Sequence, residues 1–198
     1  EGDLVGLPSI DGDRTSFNPP DWFKVACEEP VVLFLDEVDR AVQEVRQGIF
    51  ELTDSRKLNG HNLHPDTIIF AAVNGGEHGE QYQVNEMDPA LLRRFWAVNL
   101  EPSTQDWITW AKQNSIDKLL IEFVSQNPAH LRVDPSTVEP GTVCPNPASW
   151  HRLARTLQHC DWHPKKYIGR DVPEGFYSMC LGFVGVEPSS AFVSFVKK

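Results

Sequence analysis

Nowhere in the chain does glycine precede lysine, although 13 glycines are present. No G-x-x-x-x-G-K-[ST] loop exists in these residues, and that excludes the usual phosphate cradle from them. The four cysteines, Cys27, Cys144, Cys160 and Cys180, form no C-x-x-C pair. Zinc ribbons and thioredoxin-like redox motifs are thereby excluded, and buried reduced thiols are expected. His159, Cys160 and His163 lie close together, but one cysteine and two histidines are a poor metal set. No run of about 18 apolar residues occurs, so no membrane-spanning helix is expected. Glu1-Gly2-Asp3 does not open a signal peptide, which points to a cytoplasmic protein. Positive charge is scarce: 18 Lys and Arg face 28 Asp and Glu, a net charge of -10. Such a surface disfavours sequence-independent binding to nucleic acid.

What is present is ordinary globular composition, 40% hydrophobic and 23% charged over 198 residues. That length suits one domain or two small ones. Residues 1–30 are rich in Gly, Pro and Asp and read mostly as loops, with a helix expected from Pro20 or Asp21. Val31 to Leu35 are five apolar β-formers, the pattern of a strand buried on both faces of a parallel sheet. Val38, Ala41, Val42, Val45, Ile49 and Leu52 then recur at helical spacing. Asn59-Gly60 signals a hairpin. A second buried strand is expected over 67–73, a short helix capped by Asp88-Pro89, and a third strand over 95–100. Strands alternating with helices imply an α/β parallel sheet in three layers. From about residue 102 the strands stop: one amphipathic helical stretch is expected from the Ser103-Thr104 cap to Val124, a long proline-rich loop over 127–147, a helix from Ser149 to about His159, and two short helices around Phe176–Leu181 and Ala191–Val196. We therefore expect an α/β core over 1–101 and a small all-helical domain over 102–198.

The chemistry gathers at strand ends. Asp36 and Glu37 close the first buried strand, where ligands sit in open α/β sheets. Two adjacent acids there can divide the work of nucleotide hydrolysis, one holding Mg2+ and the other polarising water. They can equally cap the next helix. Asn74 ends the second strand. Its amide could bond a water and a γ-phosphate, or simply favour the Asn-Gly-Gly turn. Arg93 and Arg94 follow the short helix. An arginine there can stabilise charge on a transferring phosphoryl group, or be solvated.

The order of these features resembles the AAA+ ATPases. Val32-Leu33-Phe34-Leu35-Asp36-Glu37-Val38-Asp39-Arg40-Ala41 is similar to an extended Walker B of the MoxR-type branch. Phe50-Glu51-Leu52, Asn59-Gly60, Ala71-Ala72-Val73-Asn74 and Met87-Asp88-Pro89-Ala90-Leu91-Leu92-x-Arg94-Phe95 continue in register. Leu100-Glu101-Pro102, Asp106-Trp107 and Gly182-Phe183-Val184-Gly185-Val186-Glu187 resemble the helical lid of the phage and bacterial branch. The resemblance implies ATP and Mg2+ as cofactors, Asp36 as the magnesium residue and Glu37 as the catalytic glutamate. It implies Asn74 as sensor 1 and Arg94, beside Arg93, as the arginine finger. It also implies a homo-oligomeric ring, a hexamer, with protein clients that include von Willebrand A domains. The turn at Leu58-Asn59-Gly60-His61 would face the pore or a substrate. Two departures stand out. The phosphate loop is lacking, as if the chain began after it. Ala148 occupies the place of the sensor 2 arginine, for which Arg152, one turn on, could substitute. An ATPase subunit with chaperone-like activity is the leading expectation. A nucleotide-incompetent scaffold is the alternative, and a nucleic-acid motor the third.

Overall fold

The computed structural model describes residues 4, 6–73 and 88–198. The chain divides into two compact units, residues 1–98 and 99–198.

In the first unit, β1 (Leu7–Asp11) and β2 (Arg14–Asn18) form an antiparallel hairpin around Gly12-Asp13. Gly12 adopts a positive φ of 63°, as a tight two-residue turn requires. This corrects the expectation of loops. Both strands are exposed and largely polar, so no apolar alternation announces them. Helix α1 (Asp21–Glu28) begins after Pro20, as expected, and buries Phe23 and Ala26. Strand β3 (Val32–Leu35) pairs in parallel with β6 (Ile68–Ala71), Leu35 opposite Ala71. Between them lie a 3-10 turn (Val38–Arg40), helix α2 (Gln43–Asp54) and the hairpin of β4 (Lys57–Leu58) and β5 (His61–Asn62). Asn59 and Gly60 turn that hairpin with φ values of 47° and 83°. The predicted helix from Val38 is thus broken, because Ala41 and Val42 are extended before α2 starts.

The strand pair departs from expectation in two ways. Leu33, Leu35, Ile69 and Ala71 pack inward. Val32, Phe34, Ile68 and Phe70 point the other way and stay 54% to 66% exposed. Apolar character on both faces records what would gain from burial, not what covers it. The third strand, expected over 95–100, does not form. A strand needs a hydrogen-bonded neighbour, and among the described residues none lies beside this segment. Trp96 is 94% exposed. Phe95 instead packs on Val38, Ile49 and Leu91, under the short helix α3 (Pro89–Leu92). Asp88 caps α3 by accepting from the Ala90 N–H at 2.8 Å.

The second unit is helical: α4 (Thr104–Gln113), α5 (Lys118–Gln126), α6 (Pro147–His159), α7 (Phe176–Val184) and α8 (Val186–Val196). Local chemistry starts each of the first three. Ser103 and Asp106 form a reciprocal capping box, Asp117 caps α5, and Asn146 and Ser149 cap α6. One expected helix over 104–124 is two, broken at Ser115 with φ 58°. Aromatic rings fill the centre. Phe123 lies 5.2 Å from Phe192, and Trp150 meets Phe192 edge-on at 5.6 Å. All four cysteines are free, but only Cys180 is buried and Cys160 is exposed. Burial pushes the Cys180 thiol up to about 12, so it stays protonated and inert.

Gly185 joins α7 to α8 at φ 80°, and a Cβ there would collide with the Val143 carbonyl oxygen. Gly185→Ala should therefore cost about 1–3 kcal/mol in urea denaturation. Gly182→Ala, inside α7 with open space around it, should be neutral or stabilise by up to about 1 kcal/mol.

Candidate active site

The acid pair sits where β3 ends. The Ala72 N–H donates to the Leu35 carbonyl at 2.9 Å, and the Val38 N–H donates to the Ala72 carbonyl at 3.4 Å. These bonds hold the exit of β3 beside the carboxyl end of β6. Asp36 is exposed, and its carboxylate has no ion-pair or hydrogen-bond partner among the described residues. Glu37 adopts the left-handed region, φ 52° and ψ 41°. A non-glycine residue there is uncommon and costs about 1–3 kcal/mol, so its surroundings must enforce it. The enforcement comes from Val38, only 2% exposed, which is inserted among Ile49, Leu91 and their neighbours. The Glu37 carboxylate accepts an ion pair from Arg40 Nη1 at 3.1 Å. Both side chains are wet, so the pair contributes at most about 1 kcal/mol.

The same apolar cluster reaches α3 through Leu91. Immediately after α3 comes Arg94. Its Nε pairs with Asp54 Oδ1 at 3.2 Å, and its Nη1 donates to the Ala90 carbonyl at 2.6 Å. Its Cζ stands 4.8 Å from the centre of the Phe50 ring. Arg93 is exposed, and its side chain has no partner among the described residues.

The structure thus places Asp36 and Glu37 side by side and sets Arg94 in the same unit. Asn74 lies outside the described residues. Arg152 is exposed on α6 of the second unit, as is Ala148 in its first turn. Sequence reasoning missed Arg40 and Asp54 as partners. Arg40 lies three residues after Glu37, a visible spacing. Asp54 lies four residues after Phe50 on one face of α2, but nothing local connects either to Arg94.

A single exposed carboxylate with its neighbour suits Mg2+, which takes one or two protein carboxylates and completes its shell with water and phosphate oxygens. No group of three or more His, Cys, Asp or Glu placed to hold a metal occurs among the described residues. His163 pairs with Asp161 at 3.0 Å instead. Two clefts of about 480 and 360 Å³ lie within the second unit, and neither includes Asp36, Glu37 or Arg94. No helix among the described residues is long and apolar enough to cross a membrane.

Comparison with curated proteins and with solved structures gives no match. Residues 1–95, which carry Asp36, Glu37 and Arg94, match the family model of the AAA domain (dynein-related subfamily), and this likeness supports an ATPase-type function for the chain.

Proposed function

We propose that the protein is an ATP-hydrolysing subunit of a ring-forming, MoxR-type AAA+ machine that remodels protein clients. The observation that carries the reading is the Asp36-Glu37 pair at the carboxyl end of parallel strand β3, inside the AAA-like segment. Asp36 would hold the magnesium ion, which when bound neutralises charge on the β- and γ-phosphates. Glu37 would orient the attacking water and accept its proton as the water oxygen bonds to the γ-phosphorus. The bridging P–O bond breaks at the same time, and ADP leaves. Arg94 would stabilise that charge from the neighbouring protomer, and Asn74, as sensor 1, would orient the water. Arg93 and Arg152 would add positive charge near the nucleotide. The Asn59-Gly60 turn would face the pore, where clients such as von Willebrand A domains would be engaged. A cytoplasmic hexamer is the assembly this reading implies.

The reading needs a phosphate-holding loop from outside these 198 residues. Translating the frame upstream of Glu1 tests that need directly, since its absence there would overturn hydrolysis by this product. Subunit mixing tests the trans arrangement. Glu37→Gln and Arg94→Ala proteins should each be inactive, and their mixture should regain turnover. A mixture as inactive as its components would refute a shared site. The second reading, a scaffold without nucleotide, is favoured by Ala148 at the place of the sensor 2 arginine. Calorimetric titration with Mg-ATP discriminates: micromolar binding by this chain would refute it.

A further inference from the structure

Arg94 is gripped at three points. Asp54, at the end of α2, forms an ion pair with its Nε at 3.2 Å. Ala90, on α3, takes an Nη1 hydrogen at 2.6 Å. The Phe50 ring, one turn before Asp54, lies against the guanidinium carbon at 4.8 Å. A guanidinium carries five N–H donors in a fixed planar fork. One is given to the Ala90 carbonyl, and Nε faces Asp54. The second hydrogen of Nη1 and both of Nη2 have no partner among the described residues, and the side chain is 29% exposed. The grip therefore fixes the plane and the root of the fork while leaving its tip open to solvent.

We propose that Asp54 and Phe50 are positioning residues for Arg94. They set its guanidinium so that the outer donors face a phosphoryl oxygen of a neighbouring protomer. This rests on the reading of Arg94 as the arginine that acts in trans. The chemistry favours it over a purely structural pin. A carboxylate that only anchored α3 to α2 would gain most from a bidentate pairing with the outer nitrogens. Asp54 faces the inner nitrogen through one oxygen instead, and both Nη2 hydrogens have no partner among the described residues. The Phe50 ring against the guanidinium carbon restricts the last side-chain bonds, so less freedom is lost when the tip binds an anion. Lysine could reproduce the charge but not this geometry.

The test is steady-state hydrolysis by the full-length protein, assembled as a ring, with Asp54→Ala, Asp54→Asn and Arg94→Ala compared. Asp54→Ala should lower kcat about 10- to 100-fold, the usual effect of a misplaced catalytic group, with KM within about threefold of wild type. Asp54→Asn should keep more of the rate than Asp54→Ala, because its amide oxygen occupies the same place beside Nε. In the Arg94→Ala background, Asp54→Ala should have no further effect, since the two act as one unit. A wild-type kcat for Asp54→Ala, with Arg94→Ala inactive, overturns the positioning role and leaves the trans arginine standing. Equal impairment of Asp54→Ala and Asp54→Asn with a matching fall in Tm also overturns it, in favour of a pin. A wild-type kcat for Arg94→Ala removes the trans-arginine reading itself.

Discussion

Glu37→Gln in the full-length protein should bind ATP normally and turn it over about 10²- to 10⁴-fold more slowly, the range expected when a general base is lost. The amide matches the carboxylate in size but cannot take a proton at neutral pH. The left-handed backbone at this position is imposed by Val38 in its apolar socket, which the substitution leaves intact. The ion pair to Arg40 is lost, but that exposed pair is worth too little to unfold anything. Binding and chemistry should therefore separate cleanly. Equilibrium titration with labelled ATP checks the first, and single-turnover hydrolysis the second. Hydrolysis near the wild-type rate would show that Glu37 does not handle the water.

Trp150→Ala should cost about 3–5 kcal/mol, a large share of the stability of an ordinary domain. Trp150 is completely buried on α6. It packs on Phe123 and Phe192, each at 5.6 Å between ring centres. Its indole N–H donates to the His130 carbonyl at 2.8 Å, so truncation leaves both a cavity and an unpaired acceptor. Trp110, 37% exposed on α4, is the control. Its replacement by alanine should cost less than half as much. Urea denaturation followed by far-ultraviolet circular dichroism measures both, and equal losses would contradict the core position of Trp150.

The acid pair was legible because five consecutive β-formers stop at two adjacent carboxylates, which puts those acids at a strand's carboxyl end without help from distant residues. The turn at Asn59-Gly60 and the caps at Asp88, Ser103 and Asn146 were legible because each depends only on residues within about four positions. The bare side of β3 and β6 was not legible, since Val32 and Phe34 look the same whether or not anything lies over them. The β1–β2 hairpin escaped because its strands are wet on both sides, which left Asp11-Gly12-Asp13 as its sole signal. Phe95–Leu100 misled for the opposite reason: β-forming residues were there, but no pairing strand stood beside them among the described residues. Asp54 and Phe50 escaped because their tie to Arg94 spans some forty residues. Pairing at that distance is decided by packing, not by local pattern.

The socket around Val38 has one more effect. A two-stranded parallel ladder with one wetted side has little of its own to resist opening. Had Asp36 and Glu37 depended on the ladder alone, their spacing would breathe with it. Val38 works instead like a plug driven in just past the two acids, seated against α2 and α3. The carboxylates are thus referenced to the same helices that carry Arg94 and Asp54. One shared apolar mount underlies both signs of charge.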